Sequence, residues 1–187
     1  LAQAAMPGQP MPADMTPELD ESAYHVVRET SHPYGVHVAV VEVDPEIGTV
    51  RILKYLIAYD IGVAINPLLV EGQLVGGLAQ GLGGALLEEL VYSPEAQLLT
   101  GSLADYLLPT SAEMPDHIDI LLAEEAPSPT NPLGVKGAGE GGTVGAGAAI
   151  ANAVSDALSP FGVSVTALPL SPNAILDLMR AGAVQSK

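Results

Sequence analysis

Regular hydrophobic patterning begins at Tyr34. The segment GVHVAVVEV, residues 35–43, is β-branched and apolar along most of its length, which predicts a strand buried on both faces. DPEIG at 44–48 has the Pro and Gly chemistry of a turn, and VRILKYLIAY at 50–59 predicts a second strand, so the two make an antiparallel hairpin. At Asn66 and Pro67 the period changes. Asn is a favoured N-cap and Pro a favoured first helical residue, and the apolar repeat that follows predicts a helix to about Val91, stopped by Tyr92, Ser93 and Pro94. Residues 97–106 and 118–123 read as short strands, 126–132 as a Pro-punctuated loop, 143–158 as an Ala-rich helix, 163–168 as another strand, and a last helix follows Pro172. Strands and helices mix without βαβ regularity, so the expected class is α+β, a mixed sheet with helices. Residues 1–22 show no sustained period. The expected division is an arm or linker over 1–33 and one domain over 34–187.

The helix from Pro67 holds six glycines: Gly72, Gly76, Gly77, Gly81, Gly83 and Gly84. Each exposed interior glycine costs roughly 1 kcal/mol relative to Ala, so six imply a packing reason. Gln73, Gly76, Gly77, Gln80 and Gly84 share one face by helical spacing. That face fits close helix–helix packing with Gln on the wet side. It also fits a surface on which a flat polar ligand lies, hydrogen-bonded by Gln80; spacing leaves both open.

Composition narrows the function classes. Six Lys and Arg stand against 22 Asp and Glu, a formal net charge of −16. With no basic footprint, nucleic acid and anionic membrane surfaces are poor partners. The chain has no cysteine, which excludes disulfides, zinc fingers and iron–sulfur ligation within it and leaves the cytoplasm as the default compartment. The strongly apolar run at 74–87 is too short to span a bilayer. One Phe and no Trp, against 20 Gly and 16 Pro, suggest a core that relies on neighbouring elements. The non-Met start reads as a chain cut or processed upstream.

The loop at 137–142, GAGEGG, matches G-x-G-x-x-G literally, but a Pro-rich loop precedes it and the next strand ends in Pro169 rather than an acid. A dinucleotide fingerprint needs the opposite context, and no Walker A lysine follows the glycines. What remains is a glycine-dense turn bringing Glu140 and Lys136 to the start of a helix. Amides at a helix N-terminus favour negative charge, which suits a carboxylate acting as base; a first-turn capping Glu fits the same position. His25, His32, His37 and His117 lack metal-ligand spacing and read as ordinary histidines, so no side-chain metal site is expected.

The segments LGVKGAGEGGTVGA (133–146) and IANAVSDAL (150–158) resemble the signature of the molybdenum hydroxylase large subunits, the family of xanthine dehydrogenase, aldehyde oxidase and aerobic carbon monoxide dehydrogenase. DIGVAINP (60–67) and EGQLVGGLAQG (71–81) resemble its preceding motifs in the same order, with wording nearest the carbon monoxide dehydrogenase branch. The resemblance implies that residues 34–187 are the C-terminal, molybdopterin-binding part of a larger subunit. It implies Glu140 as catalytic base beside molybdenum, Gln80 as a hydrogen-bond partner of the pterin, and Lys136, Gly137, Ala138 and Gly139 as the loop near the cofactor. It also implies a molybdenum–molybdopterin cofactor, in the short or the cytosine dinucleotide form, with [2Fe–2S] clusters and FAD on partner chains or domains. The expected partners are the rest of the molybdenum subunit, an iron–sulfur subunit and an FAD subunit, in a dimer of heteromers. The activity implied is oxidative hydroxylation of an aldehyde, an N-heterocycle or CO with water as oxygen source. The other function class is a non-catalytic structural or assembly module of the same fold, which has no need of a carboxylate at position 140.

Overall fold

The computed structural model describes residues 22–26 and 28–185. Residues 1–21 and 27 of the expected arm at 1–33 therefore lie outside the described residues.

Two strands form first in the chain: β1 (Tyr34–Val43) and β2 (Val50–Asp60), paired antiparallel as expected. Their turn closes locally. Asp44 Oδ1 accepts the Glu46 and Ile47 amides, the Gly48 amide donates to the Asp44 carbonyl, and Gly48 takes φ +73°. The third strand, β3 (Ile118–Ala123), joins the other edge of β2 in parallel, giving the sheet order β1-β2-β3.

Pairing is not uniform along the hairpin. Val40 faces Lys54 but Val41 faces Ile52, so Leu53 is an inserted residue without a partner. A bulge of this kind moves every later side chain to the other face. Ile52 therefore shares the inner face with Tyr55, Ile57 and Tyr59, all buried. β1 departs from the expectation of two buried faces: Val36, Val38 and Val40 are exposed, and His37, Ala39, Val41 and Val43 face inward. β1 is an edge strand covered on one side, so its continuous apolar run does not report two-sided burial.

Helix α1 (Pro67–Leu86) begins at the predicted cap, with the Asn66 side chain accepting the Leu69 amide at 3.3 Å and Pro67 in the first turn. Its buried positions Leu74, Leu78, Leu82 and Leu86 recur every four residues. It ends at Leu86, short of the expected Val91. The Leu87 and Glu88 amides both fold back to the Gly83 carbonyl, and the Tyr106 hydroxyl donates to the Glu88 carboxylate at 2.6 Å. The Leu170 amide takes the Ala85 carbonyl, so one of the orphan acceptors of the last turn is satisfied from elsewhere.

Two expected strands do not form. Residues 97–106 contribute one isolated bridge, Tyr92 to Leu98, followed by turns. Residues 163–168 run irregularly, with the Val165 amide bonded to the Ser155 hydroxyl rather than to a neighbouring strand. Helix α2 (Ala146–Ala157) starts three residues later than expected, and α3 (Pro172–Gln185) follows Ser171 as expected. α2 covers β1 and packs on α1, and the core joins Tyr55, Ile57, Leu74, Leu78, Ile150, Val154 and Ile175. The result is α+β, as expected. No helix among the described residues is long and apolar enough to cross a membrane.

Candidate functional site

Residues 137–145 lead to α2, through consecutive turns from Ala138 onward. The Gly141 amide donates to Ala138, the Thr143 and Val144 amides to Glu140, and the Ala146 amide to Thr143. Glu140 sits in this run and not in the first turn of α2, which holds no acidic residue. The expected placement at a helix start is therefore corrected: helix-terminus electrostatics fade beyond the terminal turn, and the N-cap is Gly145, with no side-chain cap.

Three hydrogen bonds clamp the run to the core. The Tyr59 hydroxyl donates to the Gly137 carbonyl at 2.8 Å, and the Thr143 hydroxyl to the Gly77 carbonyl at 2.9 Å. His37 Nε2 meets the Gly141 carbonyl at 3.0 Å, and its Nδ1 lies 2.9 Å from the Tyr55 hydroxyl. A carbonyl can only accept, so Nε2 carries the proton. Nδ1 is then free to accept from Tyr55 while the ring is neutral. Burial lowers the His37 pKa, against the opposing effect of the Gly141 bond, and burial pushes the Tyr55 phenol far up. Both shifts favour this protonation pattern. Tyr59 is likewise held as a donor, by burial first and the Asp60 charge second.

Glycine is required at the contact with α1 and β2. A Cβ on Gly141 would lie 2.6 Å from the Tyr59 ring, and one on Gly142 would lie 2.0 Å from the Leu74 carbonyl oxygen. Gly137 and Gly139 differ: nothing lies within 4 Å of a Cβ there. With Glu140, Gly35, His37 and Tyr59 they line an open cleft of about 490 Å³. Glu140 is exposed, and its carboxylate accepts no hydrogen bond from the described residues. Ala138 is half-buried against the core.

Lys136 is turned elsewhere. Its ammonium donates to the Asp60 carboxylate at 2.5 Å, with the two side chains 10% and 19% exposed, and its amide donates to the Ile61 carbonyl. The Lys136 hydrogen bond is the main reason the Asp60 carboxyl lies below its ordinary value. Gly62 and Gly134 touch where the two segments meet; a Cβ on Gly62 would lie 2.3 Å from the Gly134 oxygen. Lys136 thus fastens the loop to the end of β2.

The small stripe on α1 divides in two. Gly77 is buried against Gly142, and the half-buried Gly81 packs against Thr143 and Ala146, which is close packing. Gln73, Gly76, Gln80 and Gly84 are exposed, with open space beside Gly76 and Gly84. Gln80 does not line the cleft that holds Glu140. The two surfaces are nevertheless locked together through Gly77, Gly142 and Thr143.

Local spacing reads His37 as an ordinary histidine and gives no sign of the contacts made by Tyr55, Tyr59 and Asp60. A usable signal for His37 was its place on an otherwise apolar strand, where a polar side chain facing inward must find partners. Among the described residues no three His, Cys, Asp or Glu side chains gather as a metal site. The available donors are backbone groups, side-chain amides and one free carboxylate.

The family described as the molybdopterin cofactor-binding domain matches residues 2–115. The chain is 44% identical over 161 residues to the 6-hydroxypseudooxynicotine dehydrogenase complex subunit gamma of Paenarthrobacter nicotinovorans, covering 86% of this chain and 20% of that protein. It superposes on quinoline 2-oxidoreductase from Pseudomonas putida 86 with a TM-score of 0.75 and 42% identity, over 78% of this chain and 18% of the other. With CO dehydrogenase from Oligotropha carboxidovorans the TM-score is 0.86 at 27% identity, over 98% of this chain and 22% of that one. The chain spans about a fifth of the length of the relatives it matches.

Proposed function

We propose, because this chain belongs to the molybdopterin cofactor-binding family of xanthine dehydrogenase-type subunits, that it supplies the general base and part of the cofactor cradle of a molybdenum hydroxylase. In this reading residues 34–187 are the cofactor-binding unit and 1–33 an arm. The rest of the large subunit, an iron–sulfur subunit with [2Fe–2S] clusters and an FAD subunit complete a cytoplasmic dimer of heteromers. The substrate is a small aldehyde, an N-heterocycle or CO. The named relatives act on a nicotine derivative, quinoline and CO, and the heterocycles go with the higher identities.

The residues present fit a pterin. Open space at Gly137 and Gly139 leaves their peptide groups approachable by a flat polar ligand, and the Gln80 amide, without a hydrogen-bond partner among the described residues, stands beside the open Gly76 and Gly84. The pterin, in its short or cytosine dinucleotide form, would be held by Gln80 and by the loop of Lys136, Gly137, Ala138 and Gly139. Lys136 acts there through its grip on Asp60, which fixes where the loop starts. When bound, the cofactor's molybdenum supplies the two-electron oxidising chemistry of the hydroxylation. Glu140 would take the proton released as water is activated, and its carboxylate is open for this because no group among the described residues occupies it.

The free carboxylate of Glu140, projecting from a loop clamped at Gly137 and Gly141, carries this reading. Glu140→Gln keeps shape and hydrogen bonding but removes the proton acceptor. In the assembled enzyme, with molybdenum content matched to wild type, reduction by substrate should slow by about 10²–10⁴-fold. Near-normal reduction would return the chain to a structural or assembly module.

A further inference from the structure

Glu140 lies between two carbonyls held by side chains from the sheet. Tyr59 holds Gly137 before it, and His37 holds Gly141 after it. Between them turn hydrogen bonds hold the Ala138 and Glu140 carbonyls, but Gly139 has no Cβ and open space around it, so no packing from its own side chain anchors this short stretch to the core. The His37 ring is also a wedge. A Cβ on Gly145 would lie 2.6 Å from its Cδ2, so the ring separates Gly141 from Gly145 and sets the curvature of the turns leading to α2. The ring itself has one orientation and one tautomer, because the fully buried Tyr55 hydroxyl needs Nδ1 as its acceptor and Nε2 must donate to Gly141. An edge-on contact with the Tyr55 ring, centroids 5.7 Å apart, restrains it further.

The geometry points to His37 as a positioning residue, locked by Tyr55, that holds the Gly141 carbonyl and thereby the neighbouring Glu140 carboxylate in the cleft. This rests on the reading of Glu140 as the base. His37 passes no proton and touches no substrate; it determines where the proton acceptor stands. Loss of a reacting group's placement by about 1 Å lowers turnover on the order of 10²-fold.

The test uses the assembled holoenzyme. His37→Leu should lower kcat by about 10–100-fold while KM changes far less, at unchanged molybdenum content. Hydrogen–deuterium exchange should rise within 137–145 and stay native elsewhere. His37→Gln, which restores an N–H near the Nε2 position, should recover most of the lost kcat and the slow exchange. Should His37→Leu fail to assemble, Tyr55→Phe removes only the hydroxyl that locks the ring and should shift both readouts the same way by less. Native exchange and kcat in both variants, or a His37→Gln enzyme as impaired as His37→Leu, would overturn the assignment. Added to Glu140→Gln, His37→Leu should cost little further kcat, and a full multiplicative loss counts against action through Glu140. If Glu140→Gln alone turns over normally the base reading fails, whereas loop exchange in His37→Leu still judges the positioning role by itself.

Discussion

Replacing Gly142 by Ala adds one methyl group at the closest approach between the Glu140 loop and α1. The new Cβ would stand 2.0 Å from the Leu74 carbonyl oxygen and 2.8 Å from both the Leu74 carbonyl carbon and the Leu78 amide nitrogen. Ordinary contact begins near 3.4 Å, so the loop and the helix must separate by about 1.4 Å. All three obstructing atoms are backbone in the interior of a 20-residue helix, so no rotamer change relieves the clash. Overpacking of this kind costs about 1–3 kcal/mol. The displacement also acts on function, because Gly142 is two residues from Glu140 and adjoins Thr143, whose hydroxyl holds the Gly77 carbonyl. A shift on the order of 1 Å at the base lowers kcat on the order of 10²-fold. Calorimetric melting of the assembled enzyme, read beside reductive half-reaction rates, checks both parts. Native melting together with native rates in Gly142→Ala would refute the claim that this contact sets the loop.

Gly76→Ala should behave in the opposite sense. With open space at the position, Ala stabilises the exposed helix by about 0.5–1 kcal/mol, yet it should lower molybdenum content if a pterin lies along Gln80; full content in a stabilised variant would remove the ligand from that face. Lys136→Met should destabilise by about 1–3 kcal/mol, below the 3–5 kcal/mol of a fully buried pair, since both partners keep some solvent; an unchanged urea midpoint would contradict this. The same variant should alter the acid response. The Asp60 carboxyl lies below its ordinary value in the folded chain, so its stabilisation is present above that ordinary value and is lost as pH falls through the folded pKa. Lys136→Met should therefore lose less stability than wild type on acidification below about pH 4, and equal losses would assign the acid sensitivity to other groups.

The sequence by itself determined the features whose causes lie within a few residues. The turn at Asp44–Gly48 closes through its own Asp side chain, α1 starts where Asn66 and Pro67 predict, and the four-residue repeat of Leu74, Leu78 and Leu82 names the buried stripe. The family signature likewise named the family from residue identities alone. Tertiary structure decided what depends on distant partners. The unpaired Leu53 chose the face for Tyr55 and Tyr59, and Gly83 with Tyr106 ended α1 five residues before the expected Val91. Residues 97–106 and 163–168 have strand-like composition, but a strand exists only when another strand completes its ladder, and none among the described residues does. The same rule divides the glycines. Helical spacing put Gly76 and Gly77 on one face, but only the arrival of Gly142 against Gly77 made one a packing contact and left the other open. The partners of His37 are likewise a matter of the fold: they lie 18 and 104 residues away, and a hydrogen bond across such a separation is not set by local spacing.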